Sequence, residues 1–410
     1  MSSSFAVEDI DQRLAVYIRE FKLVNQRRPG ERREKLFMLG RRLFHERAIS
    51  GNQNISCVDC HHPRVMTHDG LPLSLGEGSS GLQVPPGARD QGQGKVLARN
   101  TPALFNLHNV NVMFWDGRVE FNPKTGQFLT PIPLKNEVAA TLKSALAAQA
   151  IFPMVDHAEM RGQKGTNPIA DVADEYEAWE LIVERVLRLP DYRELFAEVY
   201  PGEKINIGHL GEALAEFQAK AFFFADTPYD RYLQGELQAL NSKQKIGMDV
   251  FFGKGKCGDC HQGEHLSELD FDGVGAPQIG PGKKDGEDLG RFYVDNSDES
   301  KFAFRVPPLR NVGLTAPYFH AGTSNSLENV VLHYNDIKKS LDSYHLSEHL
   351  PNYLKPLEGH NHSTNQDRYV RLPLDLPIIL DLTVDEREAL VEFMRYGLTD
   401  YRLQKNLPPK

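Results

Sequence analysis

Residues Ser56-Cys57-Val58-Asp59-Cys60-His61-His62, "SCVDCHH", place two cysteines three positions apart with a histidine directly after the second. Three chemistries use such a spacing: a zinc site, a redox dithiol and a covalently attached haem. A second copy, "GKCGDCH" at residues 255–261, repeats the order Cys257, Cys260, His261. The chain has 4 cysteines and these two pairs use all of them, which is no disulfide framework for 410 residues. Zinc explains the four cysteines but not the histidine that follows each pair. A thioredoxin-like dithiol needs a single CxxC beside a βαβ pattern, and none is visible. Haem attachment explains all six residues. Each cysteine pair bonds two vinyl groups on one edge of a ring, and the next histidine lies under the iron as its nitrogen ligand.

Both pairs stand at the end of a diverged repeat. "LGRRLF" at 39–44 and "IGMDVF" at 246–251 read as apolar-Gly-x-x-apolar-Phe, the last turns of an amphipathic helix. Helical periodicity also marks 12–25, 136–149, 175–188, 206–224, 325–334 and 384–396, the last with Thr383 and Glu386 at capping-box spacing. The Gly/Pro-rich stretches 63–102 and 253–290 exclude regular elements, and alternating strands are few. Loops of that length are uncommon without a reason, and wrapping a flat cofactor supplies one. The expected fold is mainly α, with two cytochrome c-like domains at 1–230 and 231–410, long loops, and one covalent c-type haem in each.

Hydrophobic content of 40% and charged content of 25% leave room for a large buried cofactor. A net charge of −9 excludes a nucleic-acid partner and leaves open a positively charged protein partner. No apolar run reaches the ~20 residues that a membrane span takes. The N-terminus, "MSSSFAVEDIDQRLAVYIREF", has no signal-peptide pattern. Covalent haem attachment normally takes place outside the bacterial cytoplasm, so the expectation is a periplasmic protein whose export signal is absent from this sequence.

Two such haems suit an electron carrier with both irons blocked, or an enzyme with one open iron beside acid–base groups. The motifs between and after the CxxCH pairs bear on that choice. In order they are "LGRRLF…SCVDCH", "RNTPALFN", "FWDGR", "AQAIFPMVDHAEM", "GKCGDCH", "DLGRF", "FRVPPLRNVGLTAPYFHAG" and "LENVVLHYN". Over roughly residues 36–335 and the C-terminal helix, the chain resembles the bacterial di-haem cytochrome c peroxidases and their MauG-like relatives.

The resemblance implies roles residue by residue. His61 and His261 are the proximal iron ligands. Gln149, Pro153 and Glu159 match the family's distal segment, with Glu159 over the open face of the N-terminal haem. A carboxylate there accepts the proton of bound hydrogen peroxide and returns it to the leaving oxygen. Trp115 matches the electron relay between the haems; the plain alternative is a core tryptophan, as for Trp179. Asn100 matches a side-chain ligand of a calcium ion, and Thr315 and Pro317 match two carbonyl ligands. The plain alternative there is loop shaping.

Two positions depart from the peroxidase pattern. Many family members have a histidine in a loop after the first CxxCH that blocks the peroxide iron. Here that loop is "LSLGEGSSG", with Glu77 at the position, so no protein side chain is expected over that iron; His68 is the residue able to contradict this. At the C-terminal haem the usual methionine ligand is replaced by Tyr334, as in MauG-like enzymes. A phenolate is a hard anionic donor that stabilises oxidised iron. His333 is adjacent, but about 100° away around a helix, so only one of the two faces the iron.

These departures point to a MauG-like oxidase that takes hydrogen peroxide directly, shares oxidising equivalents between its haems and oxidises a Tyr or Trp on a partner protein. The alternatives are a cytochrome c peroxidase fed by a small redox protein, and a non-catalytic electron-transfer cytochrome. Segments 118–147 and 338–380 are longer than the peroxidase pattern and are candidate docking surfaces. The second carries His345, His349, His360 and His362, with His345 and His349 at a metal-compatible i,i+4 spacing. Loop histidines are the plainer reading.

Overall fold

The structure, a computed structural model, describes residues 2–79, 92, 94–283, 287–344, 368, 372, 377 and 379–407, with side-chain detail from Ile10 onward. The repeated glycines explain how its two halves are built. The helix Glu34–His45 buries Leu36, Leu39, Leu43 and Phe44 and crosses the helix Ile207–Ala221. At the crossing, a Cβ on Gly40 would overlap the carbonyl of Ala213. In the second half the helix Ser242–Phe252 crosses Val384–Glu392, and a Cβ on Gly247 would overlap the carbonyl of Ala389. Each glycine thus lets two helix backbones touch, and each first helix then runs on towards its CxxCH turn.

Two large apolar cores follow, with a small third cluster of Leu73, Ile279 and Ala321. One is built from residues between Leu36 and Phe222. The other spans Tyr229 to Leu398 and also takes Ile10, Leu14 and Leu23 from the start of the chain. The first helix, Ser2–Glu20, therefore lies on the second core. The Phe21 ring lies tilted 5.2 Å from Phe252, Arg13 pairs with Asp249 at 3.1 Å, and Lys245 reaches Asp11 at 2.8 Å.

Most periodic segments form helices close to their expected bounds, among them Glu175–Arg188 and Leu327–Asn335. Thr383 and Glu386 form the expected capping box. The segment 136–149 breaks into Asn136–Thr141 and Ala145–Gln149. Ser144 caps the second piece, and the Lys143 amide donates instead to the buried Glu212 carboxylate at 2.7 Å. Strands are short: an antiparallel set at Val112–Met113, Val119–Asn122 and Gln127–Leu129, and a pair at Phe271–Asp272 and Phe304–Arg305. The insertion after Trp115 supplies the Val119–Leu129 hairpin, closed by Phe121 on Phe128 at 4.6 Å. The four histidines 345, 349, 360 and 362 lie outside the described residues. Among the described residues, no helix is long and apolar enough to cross a membrane.

Candidate active site

The two CxxCH segments fold into the same turn. The His61 amide donates to the Cys57 carbonyl at 2.9 Å, and His261 to Cys257 at 2.8 Å. Each imidazole then donates from Nδ1 to a loop carbonyl, His61 to Thr67 and His261 to Leu266, both at 2.9 Å. A carbonyl only accepts, so Nδ1 carries the proton and Nε2 keeps its lone pair. Burial holds both rings neutral, with pKa values lowered to about 4. Burial also pushes the Cys57 and Cys257 thiols up to about 12, so neither is a ready thiolate. Among the described residues no disulfide joins the four cysteines, and no group of three or more His, Cys, Asp or Glu is placed to hold a metal ion. The donor set fits neither four-cysteine zinc nor a disulfide pair. Two neutral imidazoles, each directly after a CxxC pair on one continuous apolar cavity of about 750 Å³, fit two covalent haems.

Every residue expected at the site lines that cavity. Glu159 sits on the turn His157–Arg161, whose start is capped by Asp156 accepting from the Ala158 and Glu159 amides at 2.8 and 3.1 Å. Burial first, then the charge of Asp156, raises the Glu159 carboxyl to about 7, against the pull of Arg118 and Lys283. Arg118 lies 3.8 Å from Glu159. It is held by Asp116 at 3.2 Å and by the Phe114 ring, 3.5 Å from the guanidinium. Asp116 continues to Arg99 at 2.6 Å, and Arg99 to Asp288 at 2.6 Å. A chain of alternating charges thus runs from Glu159 into the second half of the molecule. Gln149 ends the helix Ala145–Gln149, and Pro153 opens the next turn on the same wall.

The Trp115 indole donates to the Asn100 carbonyl at 2.9 Å, and its own carbonyl accepts from the Arg305 amide at 2.7 Å. Trp179 instead is buried among Phe152 and Tyr176, bonded to Ile151, away from the cavity. The Asn100 amide nitrogen donates to the Leu71 carbonyl at 2.8 Å, which leaves its oxygen for another partner. Thr315 and Pro317, separated by Ala316, lie on the same cavity wall.

Glu77 turns away from the cavity. Its carboxylate accepts from Asn52 at 2.8 Å and Asn54 at 2.6 Å. His68 is buried with Nδ1 accepting from the Gly70 amide and Nε2 against the Leu314 carbonyl. On the other side, His333 has both ring nitrogens engaged, by Ser340 at 2.9 Å and the Val274 carbonyl at 2.8 Å. Tyr334 faces the cavity, and among the described residues its hydroxyl makes no hydrogen bond. Burial holds its pKa far above the usual phenol value.

Sequence reasoning missed Arg118 and Arg305. Both lie within motifs quoted above, "FWDGR" and "FRVPPLR", and only the fold shows what each faces.

The family described as di-haem cytochrome c peroxidase matches residues 34–238. Cytochrome c peroxidase Ccp of Escherichia coli (strain K12) is 30% identical over 295 residues, which cover 72% of this chain and 51% of that protein. The match thus spans about half the length of that relative. Methylamine utilization protein MauG of Methylorubrum extorquens is 29% identical over 299 residues, 72% of this chain and 67% of that protein. Among solved structures, a MauG-like protein associated with microbial copper homeostasis superposes with a TM-score of 0.62 at 26% identity, over 93% of this chain and 95% of that one. With its paired CxxCH turns on one cavity, the chain belongs to the di-haem cytochrome c peroxidase family, a family of peroxidase-type oxidoreductases.

Proposed function

We propose that the protein is a hydrogen-peroxide-dependent oxidoreductase of the MauG-like branch, acting in the periplasm on a Tyr or Trp residue of a partner protein. The observation that carries this reading is Tyr334, open to the cavity beside a His333 whose ring nitrogens are both engaged. A haem bound at the first CxxCH would supply the redox chemistry for hydrogen peroxide. His61, whose Nε2 keeps its lone pair, would hold it, and Glu159 stands on the cavity wall for the proton. With a pKa of about 7, Glu159 is partly ionised near neutrality, so it takes a proton and returns it with little penalty either way. Glu77, bonded to Asn52 and Asn54, leaves the approach to Glu159 clear on its side. Burial raises the Tyr334 pKa, so its phenol would ionise only beside a strong cation such as ferric iron; Tyr334 and His261 are the residues on this cavity that would hold the second haem's iron. Trp115 lies on the wall common to both halves, where a relay belongs. The Asn100 oxygen with the Thr315 and Pro317 carbonyls is an all-oxygen donor set suited to calcium, with water filling the remaining positions.

The test is the resting ferric protein. One high-spin and one low-spin haem by EPR, with hydrogen peroxide reacting at once, is the expected result. Reaction only after prior half-reduction would favour a cytochrome c peroxidase fed by a small redox protein. Two low-spin haems inert to peroxide would leave an electron carrier.

A further inference from the structure

Arg305 is buried, at 6% exposure, on the strand Phe304–Arg305, and its side chain lines the cavity. Its Nε donates to the Phe114 carbonyl at 3.2 Å, yet among the described residues Nη1 has no hydrogen-bond partner. The other deeply buried arginines on this cavity each meet a carboxylate: Arg99 meets Asp116 and Asp288, Arg310 meets Asp230, and Arg368 meets Glu287. Arg305 forms no such pair among the described residues. Burial is the one influence on its ionisation, lowering the pKa to about 10, which still leaves it charged at neutral pH. A buried cation without a counter-charge is costly, and a guanidinium presents a flat fork shaped for a carboxylate. Nη1 is sealed within the protein, so the nitrogen of that fork left to meet the cavity is Nη2, which makes no hydrogen bond among the described residues.

We propose that Arg305 is a carboxylate-binding residue, and that the carboxylate it receives is a propionate on the rim of a haem bound in this cavity. The same residue clamps the turn that carries Trp115. Its amide donates to the Trp115 carbonyl, and its Nε holds the carbonyl of Phe114, which sits at a strained φ of 67°. One side chain from the second half thus neutralises a haem edge and fixes the relay turn of the first half. The inference rests on haem binding and is independent of which oxidant or partner the enzyme uses.

The experiment is a spectroelectrochemical titration of both haems across pH in the holoprotein, for wild type, Arg305→Lys and Arg305→Gln, with two haems per chain checked by mass. Removing a cation beside a haem carboxylate disfavours the reduced iron and raises the carboxyl's pKa. Arg305→Gln is therefore expected to lower one midpoint potential at high pH and to move the propionate-linked step in the potential–pH curve upward. Arg305→Lys keeps the charge without the fork and should fall between. Unchanged potentials and an unmoved step, with both haems attached, would overturn the proposal. Sodium acetate tests the other source of the same chemistry. If acetate shifts the wild-type potentials and not those of Arg305→Gln, the site takes a free carboxylate and the propionate assignment is wrong. Should Arg305→Gln fail to mature, Arg305→Lys decides, since a propionate contact requires the same shift at smaller size.

Discussion

Replacing Arg118 by Gln should move the pH dependence of peroxide reaction by about one unit. Two unit charges at the 3.8 Å separating Arg118 from Glu159 interact by ~1 kcal/mol in a water-like medium and ~4 kcal/mol at an effective dielectric near 20. Their side chains are 18% and 25% exposed, so solvent reaches both and the lower end applies. At about 1.4 kcal/mol per pKa unit, loss of the guanidinium raises the Glu159 carboxyl by ~1 unit. The sign is fixed: Arg118 favours the carboxylate, and Asp156 and Asp116, left less compensated, push the same way, while Lys283 still opposes them. Glu159 acts as base in its ionised form, so the rate falls as pH drops through its pKa, near 7 in the wild type. The acid limb should therefore lie near pH ~8 in Arg118→Gln and return most of the way in Arg118→Lys. The assay is stopped-flow mixing of ferric protein with peroxide from pH 5 to about 9, with Glu159→Gln as control. An unmoved limb in Arg118→Gln would refute the electrostatic coupling. A limb that survives in Glu159→Gln belongs to another group, and the assignment of Glu159 itself then fails.

Replacing Tyr334 by Phe should change the low-spin EPR signal, while His333→Gln should leave it in place; the reverse pattern would move the ligand to His333. Gly40→Ala and Gly247→Ala should each lower stability by roughly 1–3 kcal/mol in chemical denaturation, because the facing element is backbone and cannot yield. In an uncrowded helix the same change stabilises by about 1 kcal/mol, so the sign of the effect tests the crossing. Removing calcium with EGTA should slow electron exchange between the haems and alter the emission of Trp115, whose indole bonds to the Asn100 carbonyl. Asn100→Ala should mimic the chelator, and a chelator-insensitive wild type would argue against the ion.

Legibility followed the range of the interaction. The CxxCH turns, the helix Glu175–Arg188 and the Thr383 capping box are local, and spacing alone revealed them. The two glycines stood out as a repeat, although their reason, a carbonyl of a helix far along the chain, did not. Periodicity gave the first helix an apolar face without saying which core it meets, and it meets the second. The break at Ser144 was hidden because it depends on Glu212, more than sixty residues on. Glu77 read as a carboxylate in place of a ligand. That it is turned away becomes visible only once Asn52 and Asn54 are seen beside it. Arg305 carries no sequence signal of its own, since what distinguishes it from Arg99 or Arg310 is that, among the described residues, no carboxylate meets it after folding.

The asymmetry between the two halves has one source. Their proximal sides are alike: the same turn, the same Nδ1-to-carbonyl bond at 2.9 Å, and the same neutral imidazole with a pKa near 4. Both histidines are held in the same way, so that side offers no basis for dividing the labour. The distal walls differ. The first is made by the turn His157–Arg161, which presents a proton-active carboxylate. The second is made by the helix Leu327–Asn335, which presents a phenol and secures the adjacent imidazole elsewhere. On the proposed reading, proton handling belongs to one haem and hard anionic ligation to the other, and Trp115 with Arg305 stands on the wall they share. A duplicated module acquires distinct roles here through the segments laid over it, so substitutions at Glu159 and Tyr334 should separate the two functions while leaving both CxxCH turns intact.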